Sequence, residues 1–305
     1  MSIPQETRSE EDDFLAEYNP RDHPPFAVTV DVVVFTIVDD TLQVVLIRRG
    51  EPPFKDRWAL PGGYVRPGED LLDAALRELA EETKLGLKPD RIEQLRTYGA
   101  PDRDPRMRTV TTAFWSVVAE VGDLSGGGDA IEAALVPVNE IEREDRQLAF
   151  DHRMIVLDAV DRAASRLEYS TEATRFCPPE FTISQLRRVY KAVWDIDFDQ
   201  GNFQRKVRSE PDFVRDLGRT TLSGGSRGRP AALFSAGEPS LLEQPFTALR
   251  TSMETVLHNA PLNVQRGPDY PAWLAGSKKA APTPDDDGDA DVQPDEQPDE
   301  GQEDR

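Results

Sequence analysis

The chain has a single cysteine, Cys177, among its 305 residues. One cysteine excludes a disulfide within the chain, and we expect a buried or incidental thiol in a protein of the reducing cytoplasm. No stretch approaches the ~18 consecutive apolar residues of a membrane-spanning helix. The acidic start also lacks the basic and hydrophobic regions of an export signal. The sequence therefore predicts a cytoplasmic protein with no membrane partner.

Basic residues are scarce as well, since 36 Lys and Arg stand against 57 Asp and Glu, for a net charge of −21. The excess is concentrated at the ends: residues 1–25 carry −5 and residues 283–305 carry −10. Both segments are poor in aliphatic side chains and cannot bury enough apolar surface to offset the entropy of ordering. We expect disordered acidic termini over 1–25 and 280–305, so the net charge says little about the folded middle.

The folded part is expected to begin at Phe26. Phe26–Val38 is rich in Val, Ile, Phe and Thr and predicts a buried strand, and Asp39-Asp40 predicts a turn into a second strand over Leu42–Arg48. Further strands are predicted at Ile92–Tyr98, Thr109–Val121 and Ala133–Val138, and a helix at Asp151–Arg166. Mixed strands with two flanking helices indicate an α/β/α sandwich.

A helix is predicted over Leu71–Thr83, because its apolar residues recur at intervals of three and four and no Gly or Pro interrupts it. Glu78, Glu81 and Glu82 share one face of this helix. Like charges at such spacing repel by a few tenths of a kcal/mol per pair. A hard cation with oxygen ligands, Mg²⁺ or Mn²⁺, would turn the repulsion into coordination, and a solvated acidic face is the alternative.

The spacing of the surrounding residues resembles the Nudix box. Gly63 is followed by Glu69, then by Arg77-Glu78-Leu79, and then by Glu81-Glu82. The family hydrolyses nucleoside diphosphates linked to another moiety and holds metal ions against the pyrophosphate. The resemblance implies metal ligands at Glu78, Glu81 and Glu82, and catalytic roles for Glu69, Arg77 and Glu81, with Arg77 orienting a carboxylate.

One position departs from the box. The family has glycine after Glu81-Glu82-Thr83, where a helix ends in a left-handed conformation, and this chain has Lys84. Gly86 follows two residues later and could serve the same end. We therefore expect an altered exit from the helix and an intact carboxylate face.

The loop Asp102–Arg108 contains three arginines and resembles a loop that approaches the ligand in Nudix proteins acting on ADP-ribose-like compounds. An arginine can bind phosphate through two N–H groups at once, and a solvated basic loop is the alternative. His152 is expected to be a hydrogen-bonded structural residue rather than a catalytic base. The candidate ligand-binding residues are Arg49, Trp58, Gly62, Gly63, Arg103, Arg106 and Arg108.

After Pro178-Pro179 the character of the sequence changes. Thr182 and Gln185 form a capping-box pattern that opens a predicted helix over Ile183–Trp194, and a second helix is predicted over Asn202–Arg208. Phe213–Leu222 and Ala231–Phe234 flank a Gly/Ser/Arg loop and predict a hairpin. Two helices followed by a hairpin is the plan of a winged helix-turn-helix.

Charge reverses in this second region, since residues 181–231 hold ten Lys and Arg against six Asp and Glu, a net of +4. Neutralising DNA phosphates requires such a reversal. An appended dimerisation domain with solvating basic residues is the alternative. The candidate DNA-binding residues are Gln185, Arg187, Arg188, Asn202, Arg205, Lys206, Arg208, Arg227 and Arg229.

The two halves together resemble the NrtR family, Nudix-related transcriptional regulators of NAD metabolism. The likeness rests on FTISQLRRVYKAV from Phe181, NFQRKVR from Asn202 and GRPAALF from Gly228, besides the Nudix core. It implies a sensor of ADP-ribose or a related nucleotide that binds operator DNA as a homodimer. A Mg²⁺-dependent hydrolase of ADP-ribose or a similar compound is the alternative.

The expected organisation is a Nudix α/β/α sandwich over 26–175 followed by a winged helix-turn-helix over 176–236. Residues 237–279 form an extension of uncertain role, in which Leu241–Leu257 could add a helix.

Overall fold

The computed structural model describes residues 9–221, 230–238, 241–243 and 245–246. Its helices are α1 (Glu10–Glu17), α2 (Leu71–Thr83), α3 (Val138–Glu142), α4 (His152–Tyr169), α5 (Ile183–Trp194) and α6 (Gln200–Ser209). Its strands are β1 (Ala27–Val38), β2 (Thr41–Arg49), β3 (Trp58–Ala59), β4 (Gly62–Tyr64), β5 (Glu93–Tyr98), β6 (Thr109–Val117), β7 (Ala130–Pro137), β8 (Val214–Thr220) and β9 (Ala232–Ala236). Along this part of the chain, every helix is too short or too polar to cross a membrane.

Strand β1 is the centre of a seven-stranded mixed sheet with the order β3-β2-β1-β6-β5. It pairs in parallel with β6 and antiparallel with β2 and β4, while β7 pairs with β2. Its valines alternate between two cores: Val32 and Val34 belong to the core that includes α2, and Val33 to the core that includes α4. Both faces of the sheet are therefore covered, which confirms the predicted α/β/α sandwich.

Helix α2 begins and ends where the sequence predicts. Asp70 caps it by accepting a hydrogen bond from the N–H of Leu72 (3.0 Å). At its other end Lys84 itself adopts the left-handed conformation, with φ of 65°. The expected altered exit is therefore wrong, and Gly86 does not replace the missing glycine. Lys84 keeps the geometry at a cost of roughly 1–2 kcal/mol, and its Nζ donates to the Glu81 carbonyl at 3.0 Å.

The second region folds as a winged helix, as predicted. The capping box of Thr182 and Gln185 opens α5, and α6 follows after a short loop. Strands β8 and β9 form an antiparallel hairpin, and Phe181 adds a bridge to Phe234 on β9. The hairpin tip, residues 222–229, lies outside the described residues.

A single hydrophobic core runs from the sheet into the winged helix. The cluster that contains Phe35 of β1 and Ile155 of α4 also contains Leu186 of α5 and Phe203 of α6. In addition, the indole Nε1 of Trp194 donates to the carbonyl of Ala164 in α4 at 3.2 Å. The two regions therefore pack together through buried apolar side chains rather than through a loose linker.

The predictions for the ends of the chain have three outcomes. In the segment expected to be disordered, residues 10–17 form helix α1, which is capped by Ser9. None of the residues of this helix is buried. In the extension, residues 241–243 and 245–246 form a bridge and turns, so the helix predicted from Leu241 does not begin there. The remainder of that helix and the tail over 280–305 lie outside the described residues.

Candidate functional site

Arg77 organises the acidic face of α2. Its Nε and Nη2 donate to the two carboxylate oxygens of Glu69 at 2.6 and 2.8 Å, and its Nη1 donates to Glu78 at 2.7 Å and to Glu81 at 3.4 Å. The pairing lowers the pKa of Glu69 to about 2, chiefly through the hydrogen bonds from Arg77 and then the N–H of Arg66. One guanidinium thus holds three carboxylates close together.

Glu82 lies under this face and is almost fully buried, with 6% of its surface exposed. It accepts a hydrogen bond from the N–H of Gly62 at 2.9 Å. Burial raises its pKa to about 8, and repulsion from Glu78, Asp129 and Asp31 acts in the same direction, while the Gly62 bond opposes them. Desolvation disfavours the charged carboxylate when no cation is present.

Gly63 lies directly against the Glu78 carboxylate. A Cβ at this position would lie 2.4 Å from Oε1 of Glu78. A side chain at this position would therefore displace the Glu78 carboxylate from its present place.

A small open cleft, with a cavity volume of about 100 Å³, lies between the start of the box and the sheet. Carboxylates and guanidinium groups both line it, and two of the guanidinium groups lie beside lining carboxylates: Arg106 beside Asp104 and Arg103 beside Asp31. The lining residues are Thr29, Asp31, Ile47, Arg49, Glu51, Leu60, Gly62, Gly63, Tyr64, Glu82, Arg103, Asp104, Arg106, Asp129, Phe150 and His152.

The basic part of the cleft is arranged around Phe150. The guanidinium carbon of Arg49 lies 5.0 Å and that of Arg106 5.9 Å from the centre of the Phe150 ring. Arg106 also lies 5.4 Å from the ring of Tyr64. Phe150 has a φ of 53°, which is unusual for a bulky residue and is a form of strain found at functional sites. An aromatic ring between two cations suits a site for anionic groups.

Among the described residues, the hydrogen bonds of the Arg49 guanidinium go to backbone carbonyl oxygens. Its Nε donates to the carbonyl of Pro53 at 2.8 Å, and burial, followed by repulsion from Arg106, lowers its pKa. Arg106 differs, because Asp104 accepts hydrogen bonds from its Nε (3.1 Å) and Nη2 (2.8 Å). Arg49 is therefore the cation of this pair with more capacity for an anionic ligand.

A buried network supports the floor of the cleft. His152 accepts a hydrogen bond at Nδ1 from the N–H of Leu60 at 2.8 Å, so the proton of the neutral ring is on Nε2, 3.3 Å from Asp31. Burial lowers the pKa of His152. Asp31 also accepts a hydrogen bond from Thr111 at 2.7 Å. This geometry agrees with the structural role expected for His152.

Three predicted ligand residues have other partners. Arg103 is buried and donates to both carboxylate oxygens of Asp151, at 2.9 and 2.7 Å, which leaves it a supporting role beneath the cleft. Arg108 donates to the carbonyl of Ala100 at 3.1 Å and does not line the cleft. Trp58 packs against the main core instead. The sequence could not separate these residues from Arg49 and Arg106, because all lie in or near loops or strand ends of similar composition.

Asp31 and Phe150 are the residues that sequence reasoning missed. Asp31 had a signal: it is the one charged residue in β1, AVTVDVVVFTIV, and a buried charge needs partners. Phe150 had none, since its left-handed backbone and its two arginine neighbours arise only in the folded chain.

The donor set fits a hard divalent cation. Carboxylate oxygens are the ligands that Mg²⁺ and Mn²⁺ prefer, and a cation beside Glu82 would relieve the repulsion that raises its pKa. Glu78 and Glu82 would hold it, and Glu81 could join them after releasing Arg66 (3.3 Å). Within the described residues, no three acidic, His or Cys side chains already converge on one point. Binding therefore requires these side chains to turn from their present partners.

Helix α6 presents the candidate DNA surface. Asn202, Arg205 and Arg208 are exposed on it, and Arg205 donates to the side-chain oxygen of Asn202 at 2.9 Å. Asp199 caps the start of the helix. These three side chains form a polar and basic face of the kind that reads a major groove.

Four other predicted DNA contacts have partners within the protein. Lys206 turns inward and pairs with the buried Glu210, and Arg187 donates to Asp197 and to the carbonyl of Phe198, both at 2.7 Å. Arg188 lies 3.5 Å from Asp40 in the β1–β2 turn. Gln185 belongs to the capping box. The remaining two, Arg227 and Arg229, lie outside the described residues.

Comparison with known proteins agrees with this arrangement. A profile of the NUDIX domain matches residues 27–158, and one of the NrtR DNA-binding winged helix domain matches residues 173–236. A curated protein of Acinetobacter baylyi, the ADPR responsive transcriptional repressor NtrR, is 30% identical over 228 residues, which is 74% of this chain and 88% of that protein. The chain belongs to the NrtR family. The resemblance inferred from sequence is confirmed.

Two further relatives are a DNA complex and an enzyme. The structure of Shewanella oneidensis NrtR complexed with a 27mer DNA matches with a TM-score of 0.57 and 30% identity, covering 68% of this chain and 93% of that one. The ADP-ribose pyrophosphatase of Methanocaldococcus jannaschii is 40% identical over 144 residues, 47% of this chain and 78% of that protein. Nudix hydrolases generally use divalent metal ions, in agreement with the donor set of this NrtR-family chain.

The raised pKa of Glu82 predicts a pH-dependent stability in metal-free protein. The ordinary value of 4.5 applies to the unfolded chain and about 8 to the folded one, so the folded state keeps its proton to higher pH. Stability is then lost as pH rises through this interval, by an amount of the order of a few kcal/mol at pH 8. Glu82→Gln should remove this loss.

The measurement is denaturant unfolding of both proteins in chelator at pH 5 and pH 8. Mg²⁺ should restore the free energy of unfolding of the native protein at pH 8 and leave that of the variant nearly unchanged. A native-minus-variant difference that is equal at both pH values would show that Glu82 does not titrate in this range.

Proposed function

We propose that the protein is a nucleotide-responsive transcriptional repressor that binds ADP-ribose or a related nucleotide in the cleft and operator DNA through α6 and the wing. The observation that carries this proposal is that one continuous core joins a cleft lined by carboxylates and guanidinium groups to a winged helix with an exposed polar and basic face. Membership of the NrtR family supports both halves.

In the cleft, the pyrophosphate of the ligand is expected to lie between the box carboxylates and the arginines beside Phe150. A divalent cation, Mg²⁺ or Mn²⁺, supplies charge neutralisation between carboxylates and phosphates when it is bound. Arg77 holds Glu69 and Glu78 in place, and Arg49 donates to a phosphate oxygen. The divalent cation and the Arg49 guanidinium therefore both contact the pyrophosphate of the ligand.

On DNA, α6 enters the major groove with Asn202 and Arg205 facing base edges or phosphates. Paired half-sites require a two-fold axis, so the protein acts as a homodimer. The operators lie before genes of NAD metabolism, which places the protein with the DNA in the bacterial cytoplasm. Bound nucleotide changes operator affinity by a factor of ~5–150, the usual range of coupling between sites.

The DNA surface can be tested with Arg205→Gln. Removing one phosphate contact should weaken the binding of a duplex enriched from random-sequence DNA by about tenfold and reduce the slope of log K against log salt by about one. Arg188→Gln is the matched control: it removes the same charge from the same domain, but its side chain faces Asp40. Equal losses in both variants, measured by fluorescence anisotropy, would argue against α6 as the contacting helix.

The role of Phe150 can be tested with Phe150→Leu, which keeps an apolar side chain and removes the ring beside Arg49 and Arg106. Cation–π contacts contribute ~1 kcal/mol each, so the Kd for ADP-ribose should rise roughly tenfold. Adenosine, which has no phosphate, should bind both proteins alike, and Phe150→Tyr should restore the native value. Calorimetry measures all three, and a parallel loss of adenosine binding would mean that the ring supports the fold alone.

Hydrolysis of ADP-ribose or another nucleoside diphosphate derivative is the second candidate function. The paired Arg77 and Glu69 and the intact glutamates favour it, together with the 40% identity to an ADP-ribose pyrophosphatase. A bound metal ion would activate water and neutralise the pyrophosphate. The test is turnover of ADP-ribose with Mg²⁺ or Mn²⁺ in native protein and in Glu81→Gln. A loss of at least ~100-fold is expected for a catalytic residue, whereas equal background rates would show that the site only binds.

A further inference from the structure

A short segment beyond the winged helix returns to contact both domains. We call it the strap: the described residues of 237–246, which are 237–238, 241–243 and 245–246. The winged-helix profile ends at residue 236, so the strap lies beyond the residues that this profile matches. Its first residue has to be glycine, because a Cβ on Gly237 would lie 1.6 Å from the carbonyl oxygen of Asp212.

Phe246 of the strap completes the aromatic core of the winged helix. It is fully buried, with its ring centre 4.7 Å from Tyr190 of α5, 5.6 Å from Phe203 of α6 and 6.0 Å from Phe213. Removing a buried aromatic ring typically costs ~3–5 kcal/mol. The packing of α6 against α5 therefore depends on a residue that the strap supplies.

The backbone of the strap binds the end of α4. The N–H of Phe246 donates to the carbonyl of Glu168 at 3.0 Å, and the N–H of Leu242 donates to the carbonyl of Tyr169 at 2.9 Å. Leu241 forms an antiparallel bridge with Ser170. The last carbonyls of a helix have no partner within it, and the strap supplies donors for two of them.

The strap also binds the end of α6. The N–H of Glu243 donates to Oε2 of Glu210 at 3.0 Å, and the other oxygen of Glu210 pairs with Lys206. Lys206 lies over the Phe246 ring, 5.6 Å from its centre. The same few residues thus contact the end of the last Nudix helix and the end of the helix that carries Arg205.

The other end of α4 lies at the cleft. Its first residue, His152, lines the cleft, and Phe150 and Asp151 precede it directly. The helix has 18 residues, which corresponds to a length of about 27 Å. A rigid helix therefore connects the cleft with the strap, and the strap connects it with α6.

We propose that the strap positions the DNA-contacting helix against α4 and that Phe246 and Leu242 are its positioning residues. A shift of α4 at the cleft moves the strap, and the strap moves α6. The regulatory part of this inference rests on the proposed function, whereas the positioning part stands on the contacts alone.

The first arm of the test measures amide hydrogen exchange in the full chain without DNA or nucleotide. Leu242→Pro removes the N–H that binds Tyr169, and Leu242→Ala is its control because it keeps that N–H. Exchange in α6 and at residues 166–170 should be at least ~10-fold faster in the proline variant and in Phe246→Ala. Leu241→Ala should not change it, since that side chain is 76% exposed. Equal exchange in Leu242→Pro and Leu242→Ala overturns the proposal.

The second arm measures DNA affinity with and without ADP-ribose, on the enriched duplex. In Leu242→Pro the ratio of the DNA Kd with ADP-ribose to the DNA Kd without it should approach one, while the Kd for ADP-ribose itself remains that of the native protein. Phe246→Leu refills the core with an apolar side chain, so in this variant the ratio should stay close to the native value. An unchanged ratio in Leu242→Pro overturns the coupling role. If the ratio is one in the native protein, the proposed function fails instead. The hydrogen-exchange measurement still decides whether the strap positions α6.

Discussion

The site depends on the contact between one guanidinium and three carboxylates. Arg77 donates to Glu69, Glu78 and Glu81. Without this guanidinium, the carboxylates on the acidic face of α2 would repel one another. The arrangement leaves Glu82 outside the reach of Arg77, buried and bonded to the N–H of Gly62. A cation beside this carboxylate would offset the loss of water that burial imposes, which the single hydrogen bond from Gly62 opposes only in part. The acidic face is therefore held together without a metal ion, and binding a metal ion beside Glu82 would still be favourable.

The basic part of the cleft follows a different principle. Two arginines lie near one strained aromatic residue, Phe150, and among the described residues only Arg106 of the two pairs with a carboxylate. A divalent cation held by the box carboxylates, together with the arginines beside Phe150, would offer positive charge to a ligand with a pyrophosphate at its centre.

A response of DNA binding to a ligand requires that the cleft and the DNA surface be packed rigidly against each other. The shared hydrophobic core supplies this packing. Trp194 of α5 bonds to α4, Arg188 reaches the β1–β2 turn, and Phe246 returns from beyond the wing to complete the winged-helix core. Arg188, the basic residue among these contacts, lies 3.5 Å from Asp40. The recognition helix therefore has a defined position relative to the Nudix domain.

Much of this architecture could be predicted from local pattern. The bounds of α2 and α5 follow from apolar spacing and capping residues, the hairpin turn from Asp39-Asp40, and the acidic face from the positions of Glu78, Glu81 and Glu82. These features depend on residues within a few positions of one another, so the sequence by itself determined them. The directions of individual arginines and lysines were decided only by the tertiary structure. Arg205 and Lys206 are adjacent, yet one faces solvent and the other pairs with Glu210, because a buried carboxylate from the next turn lies on its side. Lys84 in place of the box glycine shows the same limit: its side chain donates to the Glu81 carbonyl and its backbone adopts the left-handed conformation, which no rule of local propensity predicts.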